Sequence, residues 1–352
     1  MTRVLLLNNV PSPNLKPLFD LLGRKSGWDL TVCYVRAWHR NVGWTPEKID
    51  NGGPHRTIIL DQKMPRLAGI LGVRPAAALA LAHILRRERP DYLICYGYTL
   101  MPQITAILWS IFTNTPFAIS GDANIYCESA RSLSLSKRYI KRWWLGEVVR
   151  YAAALLTVGT ASRMFWEAYG AMPEKLFESR FAVDNDFYAR STAARKGESM
   201  ALREKLGLTN KVVFLFVGRL IKRKNVDLII CALSRLKDDR IALVIAGDGE
   251  EYDSLAALAG DDRRVIFMGS VAPSSLPLCY AMADVLVLPA RDEPWGLVIN
   301  EAMAGGLAII SHRHCGATLD LVRNDNGLVL KTFSVSELAV AMKLLASDGR
   351  LR

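Results

Sequence analysis

Short, unbroken apolar runs, each followed by a turn and a longer helical stretch, begin, stop and then begin again along this chain. In the first half they are "RVLLLN" (3–8), "DLTVCYV" (29–35), "TIIL" (57–60), "DYLICYG" (91–97), "PFAIS" (116–120) and "ALLTVG" (154–159). In the second half they are "VVFLFVG" (212–218), "IALVIAG" (241–247), "VIFMG" (265–269), "DVLVLP" (284–289), "LAIISH" (307–312) and "GLVL" (327–330). Runs without polar–apolar alternation belong to strands covered on both faces. Such strands alternating with helices give parallel sheets flanked by helices, and here the pattern restarts once. The sequence therefore predicts an α/β chain of two doubly wound, Rossmann-like domains facing a central cleft, spanning 1–185 and 186–352. A length of 352 residues suits two cores, and 51% apolar residues suffice to fill them. The polar stretch "YARSTAARKGESMALREKLG" (188–207) reads as a linker entering a helix. Ligands of such sheets bind at the carboxyl ends of the strands.

The net charge is +11 and is unevenly placed. Residues 1–185 hold 23 Lys and Arg against 14 Asp and Glu, whereas 186–352 hold 22 against 20. A basic first half points to an acidic partner: nucleic acid, an anionic membrane surface or a phosphorylated substrate. The six cysteines show no C-x-x-C pair or zinc spacing and read as buried thiols in a reducing compartment, so a cytoplasmic location is expected. The most apolar stretches, 76–85 and 100–112, are too short to span a bilayer.

"FVGRLIKRKNVDLIICAL" (216–233) runs strand, glycine turn, basic loop, helix. Arg219, Lys222, Arg223 and Lys224 crowd the start of a helix beginning near Asn225, where unpaired N–H groups already carry positive charge. That conflict is relieved by a bound anion such as phosphate; the alternative is a solvated basic loop. "IAGDGEEYDSL" (245–255) lacks the third glycine of a dinucleotide fingerprint, and its glutamates would repel a pyrophosphate, so it reads as a tight turn and helix cap.

"RDEPWGLVINEAMAGGLAII" (291–310) places Glu293 and Glu301 around a Pro-Trp-Gly turn. With 297–304 helical, eight residues advance about 12 Å, whereas a retaining glycosidase keeps its carboxyls about 5–5.5 Å apart. No third ligand accompanies them, so no metal site is expected. A long ligand lying along the helix start would meet both carboxylates, with its phosphates at the N–H groups after Gly296 and Leu297.

These segments, with "AGDGEE", "VIFMGSV" and "NDNGLVL", resemble the nucleotide-binding half of the retaining glycosyltransferases of family 4, whose fold is GT-B. The resemblance covers roughly 155–345 and centres on an E-x7-E signature, Glu293 and Glu301. It implies that Arg219 and Lys224 hold the donor diphosphate, Glu301 the ribose, and Glu293 the transferred sugar. Gly218, Gly296 and Leu297 would approach the donor through their backbone. It also implies a metal-independent hexosyltransferase with no cofactor beyond the nucleotide-sugar substrate, in which residues 1–185 bind the acceptor. Trp295 stands where phenylalanine is commoner, and relatives continue past "LLASDGRLR" with a helix crossing back to the first domain.

In the first half, "ISGDANIYCES" (119–129) follows a strand and offers Asp122 or Asn124 to the cleft; Asp122 is the candidate catalytic or acceptor-binding group, with capping of the next helix as its other reading. "LSKRYIKRWWLGEVVRY" (135–151) projects as a basic amphipathic helix, either buried through its tryptophans or lying on an anionic membrane surface. The expected activity is sugar transfer from a UDP- or GDP-sugar to a lipid-linked or saccharide acceptor in envelope or exopolysaccharide assembly, at the inner face of the membrane. Two rivals remain. A nucleotide-sugar epimerase of the same architecture would need acid/base carboxylates and histidines at the donor sugar, and His39, His55, His83, His312 and His314 are not expected to form such a cluster. A nucleic-acid-binding protein would use the basic half, but no such motif is present and nucleic acid is not an expected partner.

Overall fold

The computed structural model describes residues 1–12, 15–25, 27–37, 53–129 and 134–349. The chain forms two compact units. The first comprises Met1–Asp122, Leu133–Val158 and Arg163–Arg180; the second comprises Ala123–Ser132, Gly159–Ser162 and Phe181–Arg352. His39 and part of the loop after the first strand lie outside the described residues.

Among the described residues, the first unit has seven strands: β1 (Thr2–Asn8), β2 (Trp28–Tyr34), β3 (Arg56–Ile59), β4 (Tyr92–Tyr96), β5 (Phe117–Gly121), β6 (Ala154–Thr157) and β7 (Leu176–Glu178). They form one parallel sheet in the order β3-β2-β1-β4-β5-β6-β7. Every apolar run of the first half is a strand. β7 has only three residues, two of them exposed, and shows no comparable run.

The second unit repeats the plan with β8 (Val212–Val217), β9 (Ile241–Ala246), β10 (Val265–Gly269), β11 (Val285–Leu288), β12 (Ala308–His312) and β13 (Gly327–Leu330). Their order is β10-β9-β8-β11-β12-β13, again all parallel. β9, β11 and β12 are buried at every position, as their unbroken apolar sequences require.

The helix expected at the end of the polar stretch is present as Lys196–Lys205, but the part expected to be a linker before it is helical too, Asn185–Ala194. Asp184 caps this earlier helix by accepting from the Phe187 N–H at 2.8 Å. That helix packs against the helices Leu276–Ala281 and Leu297–Ala304, contacts that polarity alone does not announce. Among the described residues, no helix is long and apolar enough to cross a membrane.

Candidate active site

In the second unit the strand order reverses between β8 and β11, which pair directly through Val285↔Phe214 and Leu286↔Leu215. Loops leaving the carboxyl ends of two such strands diverge and leave a crevice between them. The β8 loop carries Gly218, Arg219 and Lys222–Lys224; the β11 loop carries Arg291–Gly296 and leads into the helix Leu297–Ala304. Lys224 and Glu293, 69 residues apart in sequence, thus sit on loops leaving adjacent strands.

Backbone contacts stitch the loops together. Asn225, in the left-handed conformation at φ 51°, donates through Nδ2 to the Pro289 carbonyl at 2.9 Å, and the Arg291 N–H donates to the Arg223 carbonyl at 2.8 Å. The Arg223 guanidinium donates to the Asp292 carbonyl. Beneath them, Gly247 at the end of β9 lies against Gly218, so closely that a Cβ at 247 would overlap the Gly218 carbonyl oxygen. The glycines of "IAGDG" are therefore there for backbone approach, in keeping with a tight turn. The cap is missing, since Glu251 makes no side-chain cap bond to the helix Tyr252–Ala259.

Lys224 donates to Glu293 Oε2, and both side chains are largely buried. Arg223 Nη1 stands 3.8 Å from the same oxygen. The cations crowding the start of the helix Val226–Arg235 thus meet an anion from within the chain, a carboxylate where sequence reasoning supplies a phosphate. Among the described residues, the ion pairs of Glu293 are with Lys224 and Arg223; Arg219 is exposed at the exit of β8.

Glu293 is not part of the helix that carries Glu301. It forms a parallel bridge with Cys315, and the Gly316 N–H donates to its carbonyl at 3.1 Å. Only four of the eight steps between the glutamates are helical, so the helix itself contributes about 6 Å of rise rather than about 12 Å. Gly296 opens the helix at φ 94°, where a Cβ would sit 2.7 Å from Cys315 Sγ. Leu297 is the first helical residue, and the N–H groups of that first turn have no intrahelical acceptor.

Glu301 is 7% exposed. The Tyr280 hydroxyl donates to its Oε2 at 2.6 Å, and the Tyr188 hydroxyl is a second hydrogen-bond partner. Burial raises the carboxyl above its ordinary range while the two phenols pull it back, and burial beside Glu301 pushes both phenols upward. The sequence marks neither tyrosine as a site residue. Tyr188 lies in the stretch taken for a linker, and nothing distinguishes Tyr280 within its short helix.

Asp122 is exposed, immediately after β5, and ends the first stretch of the first unit. Asn124 belongs to the second unit and is buried. Its Nδ2 lies 3.2 Å from the Pro294 carbonyl and 3.4 Å from that of Glu293, while its Oδ1 accepts from the Tyr126 N–H at 2.8 Å. Asn124 therefore both caps the helix Ile125–Ser129 and holds the backbone that presents Glu293. Two of the scattered histidines do meet: His312 and His314 have ring centroids 4.6 Å apart, and His312 stacks on Phe333 at 3.7 Å. Burial, with His314 and Arg313 adding to it, pushes His312 down to about 4.

Residues 199–352 match the family model described as glycosyl transferases group 1. The chain carries a group 1 glycosyltransferase domain. The group 1 domain coincides with most of the second unit and holds Gly218, Arg219, Lys224, Glu293, Gly296, Leu297 and Glu301. Over 219 residues the chain is 29% identical to the alpha-D-kanosaminyltransferase of Streptomyces kanamyceticus, covering 60% of this chain and 56% of that protein. Over 178 residues it is 34% identical to a GDP-mannose-dependent alpha-(1-6)-phosphatidylinositol monomannoside mannosyltransferase of Mycobacterium tuberculosis, covering 47% and 45% respectively. The chain thus spans about half the length of these curated relatives. The fold matches that of HepE from Anabaena, solved with UDP and glucose, at a TM-score of 0.72 and 18% identity over 100% of this chain and 91% of that one. Both units are Rossmann-like, and the fold class is GT-B.

Proposed function

We propose that the protein is a retaining, metal-independent glycosyltransferase that moves a hexose from a UDP- or GDP-sugar to a lipid-linked or saccharide acceptor, in envelope or exopolysaccharide assembly at the inner membrane face. The observation that carries this reading is the convergence of Arg219, Lys224, Glu293 and Glu301 on loops and a helix leaving β8 and β11 at the strand-order reversal of a group 1 domain.

In this reading Arg219, Lys224 and the N–H groups after Gly296 and Leu297 hold the donor diphosphate, and the Glu301 carboxylate accepts from the ribose hydroxyls. Glu293 faces the transferred sugar. The Lys224–Glu293 pair then has a use beyond stability, since one ammonium bridges the sugar-side carboxylate and the diphosphate. As the bond from the anomeric carbon to the diphosphate oxygen breaks, negative charge grows on that oxygen, where fixed cations stabilise it most. The acceptor hydroxyl forms the new bond on the same face, and its proton passes to the departing diphosphate. Asp122 is assigned to the acceptor or the catalytic step.

The test is calorimetry against a panel of nucleotides and sugar nucleotides. The expected result is saturable binding of UDP or GDP and of one corresponding sugar nucleotide, weakened by Arg219→Ala. Binding of no nucleotide, or Arg219→Ala binding as tightly as the native chain, would overturn the reading.

A further inference from the structure

The helix Leu135–Tyr151 of the first unit divides into an anchored half and a projecting half. Leu145, Val148 and Val149 are buried, and Trp144 donates through Nε1 to the Tyr98 carbonyl at 3.1 Å. Lys141 also lies over this body, its ammonium 5.9 Å from the Phe165 ring centroid. From 134 to 140, by contrast, every residue is exposed, and so are Arg142 and Trp143. The two tryptophans read together from the sequence thus have opposite fates.

The exposed turns are not uniformly polar. Leu135 is 73% exposed, Tyr139 74%, Ile140 65% and Trp143 66%. At about 100° per residue these four fall within an arc of about 140°. On the same projection Arg142 stands about 20° outside one edge of that arc, Arg138 and Lys137 each stand about 60° beyond an edge, and Ser136 falls within it. Turns exposed on all sides gain little from packing, and Ser134 makes no side-chain cap bond to help them. A largely apolar arc flanked by cations whose long stems can reach round it, with an aromatic near its centre, suits the boundary between headgroups and acyl chains. A nucleic acid would engage the cations and leave the apolar arc in water.

We propose that the projecting half of this helix docks on an anionic bilayer surface, with Leu135, Tyr139, Ile140 and Trp143 entering the interface and Lys137, Arg138 and Arg142 engaging acidic headgroups. The surface deepens the lipid-linked-acceptor reading and rests on it only for its purpose, because every residue involved lies in the first unit.

The experiment is co-sedimentation of the full chain with phosphatidylglycerol or phosphatidylcholine vesicles across a salt series. Strong, salt-sensitive recovery with phosphatidylglycerol and weak recovery with phosphatidylcholine are expected. Each cation near an anionic leaflet is worth roughly fivefold in partitioning, so Lys137→Gln/Arg138→Gln/Arg142→Gln should bind on the order of 100-fold more weakly. Tyr139→Ser/Ile140→Ser/Trp143→Ser should lose binding at low salt as well, because cations alone do not anchor the helix. Both variants change exposed residues, and unaltered melting and unaltered nucleotide binding on the same preparations check that fold and donor site are intact. Recovery in the supernatant with both lipids, vesicle binding undiminished in either variant, or capture by nucleic acid in place of vesicles would overturn the docking proposal. None of those results touches the donor site, whose failure would show instead as lost nucleotide binding.

Discussion

Replacing Glu301 by alanine removes the acceptor on which the proposed ribose contact depends. Two hydroxyls donating to a carboxylate contribute about 1.5–3 kcal/mol each, and 1.4 kcal/mol is tenfold in Kd, so affinity for UDP or GDP should fall at least about 100-fold. The fold feels a separate effect. Truncation leaves the Tyr280 hydroxyl, now 2.6 Å from Glu301, without that acceptor in a buried place, at a cost of about 1–3 kcal/mol. Glu301→Gln separates the two effects, because glutamine keeps an acceptor for Tyr280 and does not ionise. Burial raises the carboxyl of Glu301, so the native state binds its proton more tightly than the unfolded chain does. The stability this contributes is fully present below the ordinary carboxylate pKa and is lost as pH rises through the native value. Glu301→Gln should therefore gain in Tm relative to the native chain from about pH 4 toward neutrality, while losing roughly tenfold in nucleotide affinity. Calorimetry with UDP and GDP and thermal melts across pH measure both quantities. A folded Glu301→Ala protein that binds both nucleotides as tightly as the native chain refutes the ribose assignment.

Glu293→Ala should abolish turnover yet bind free UDP or GDP at least as well as the native chain, because Lys224 no longer shares its charge with a carboxylate; equal loss of nucleotide in the Glu293 and Glu301 variants, read by calorimetry, would reject this division of roles. Transfer activity assayed in EDTA should persist, since Arg219, Lys224 and helix N–H groups supply the positive charge; loss on chelation, restored by Mn²⁺ or Mg²⁺, would contradict it. His312, held down to about 4, binds fewer protons folded than unfolded, so stability should fall as pH drops from about 6.5 toward 4. His312→Gln should flatten that part of the Tm profile, and an unchanged slope would assign the acid sensitivity elsewhere.

The sheets were legible because strands buried on both faces leave an unbroken apolar signature, as "IALVIAG" and "DVLVLP" do. β7 was not, because a three-residue edge strand needs no such run. The helix Asn185–Ala194 reads as a linker because much of its surface is polar, and only its packing reveals its role. The basic loop and the acidic segment could each be found alone. That Lys224 reaches Glu293 follows from β8 and β11 being neighbours, which is a property of strand order rather than of either motif. The tyrosines around Glu301 come from two further helices and carry no local signal. Trp143 and Trp144 differ for the same reason: adjacent residues on a helix point about 100° apart, and only the body of the first unit decides which one it covers.

The contact between Gly247 and Gly218 bears on how this protein can be altered. The path of the β8 loop is set from below by a glycine on another strand's exit, with no space for even a methyl group. In a saturation library, position 247 would then score like a donor-loop residue although it offers no side chain to any ligand. An engineer seeking a different donor preference would find an exposed loop side chain such as Lys222 open to exchange, while insertions that lift the loop from its seat would forfeit the geometry on which Arg219 and Lys224 depend.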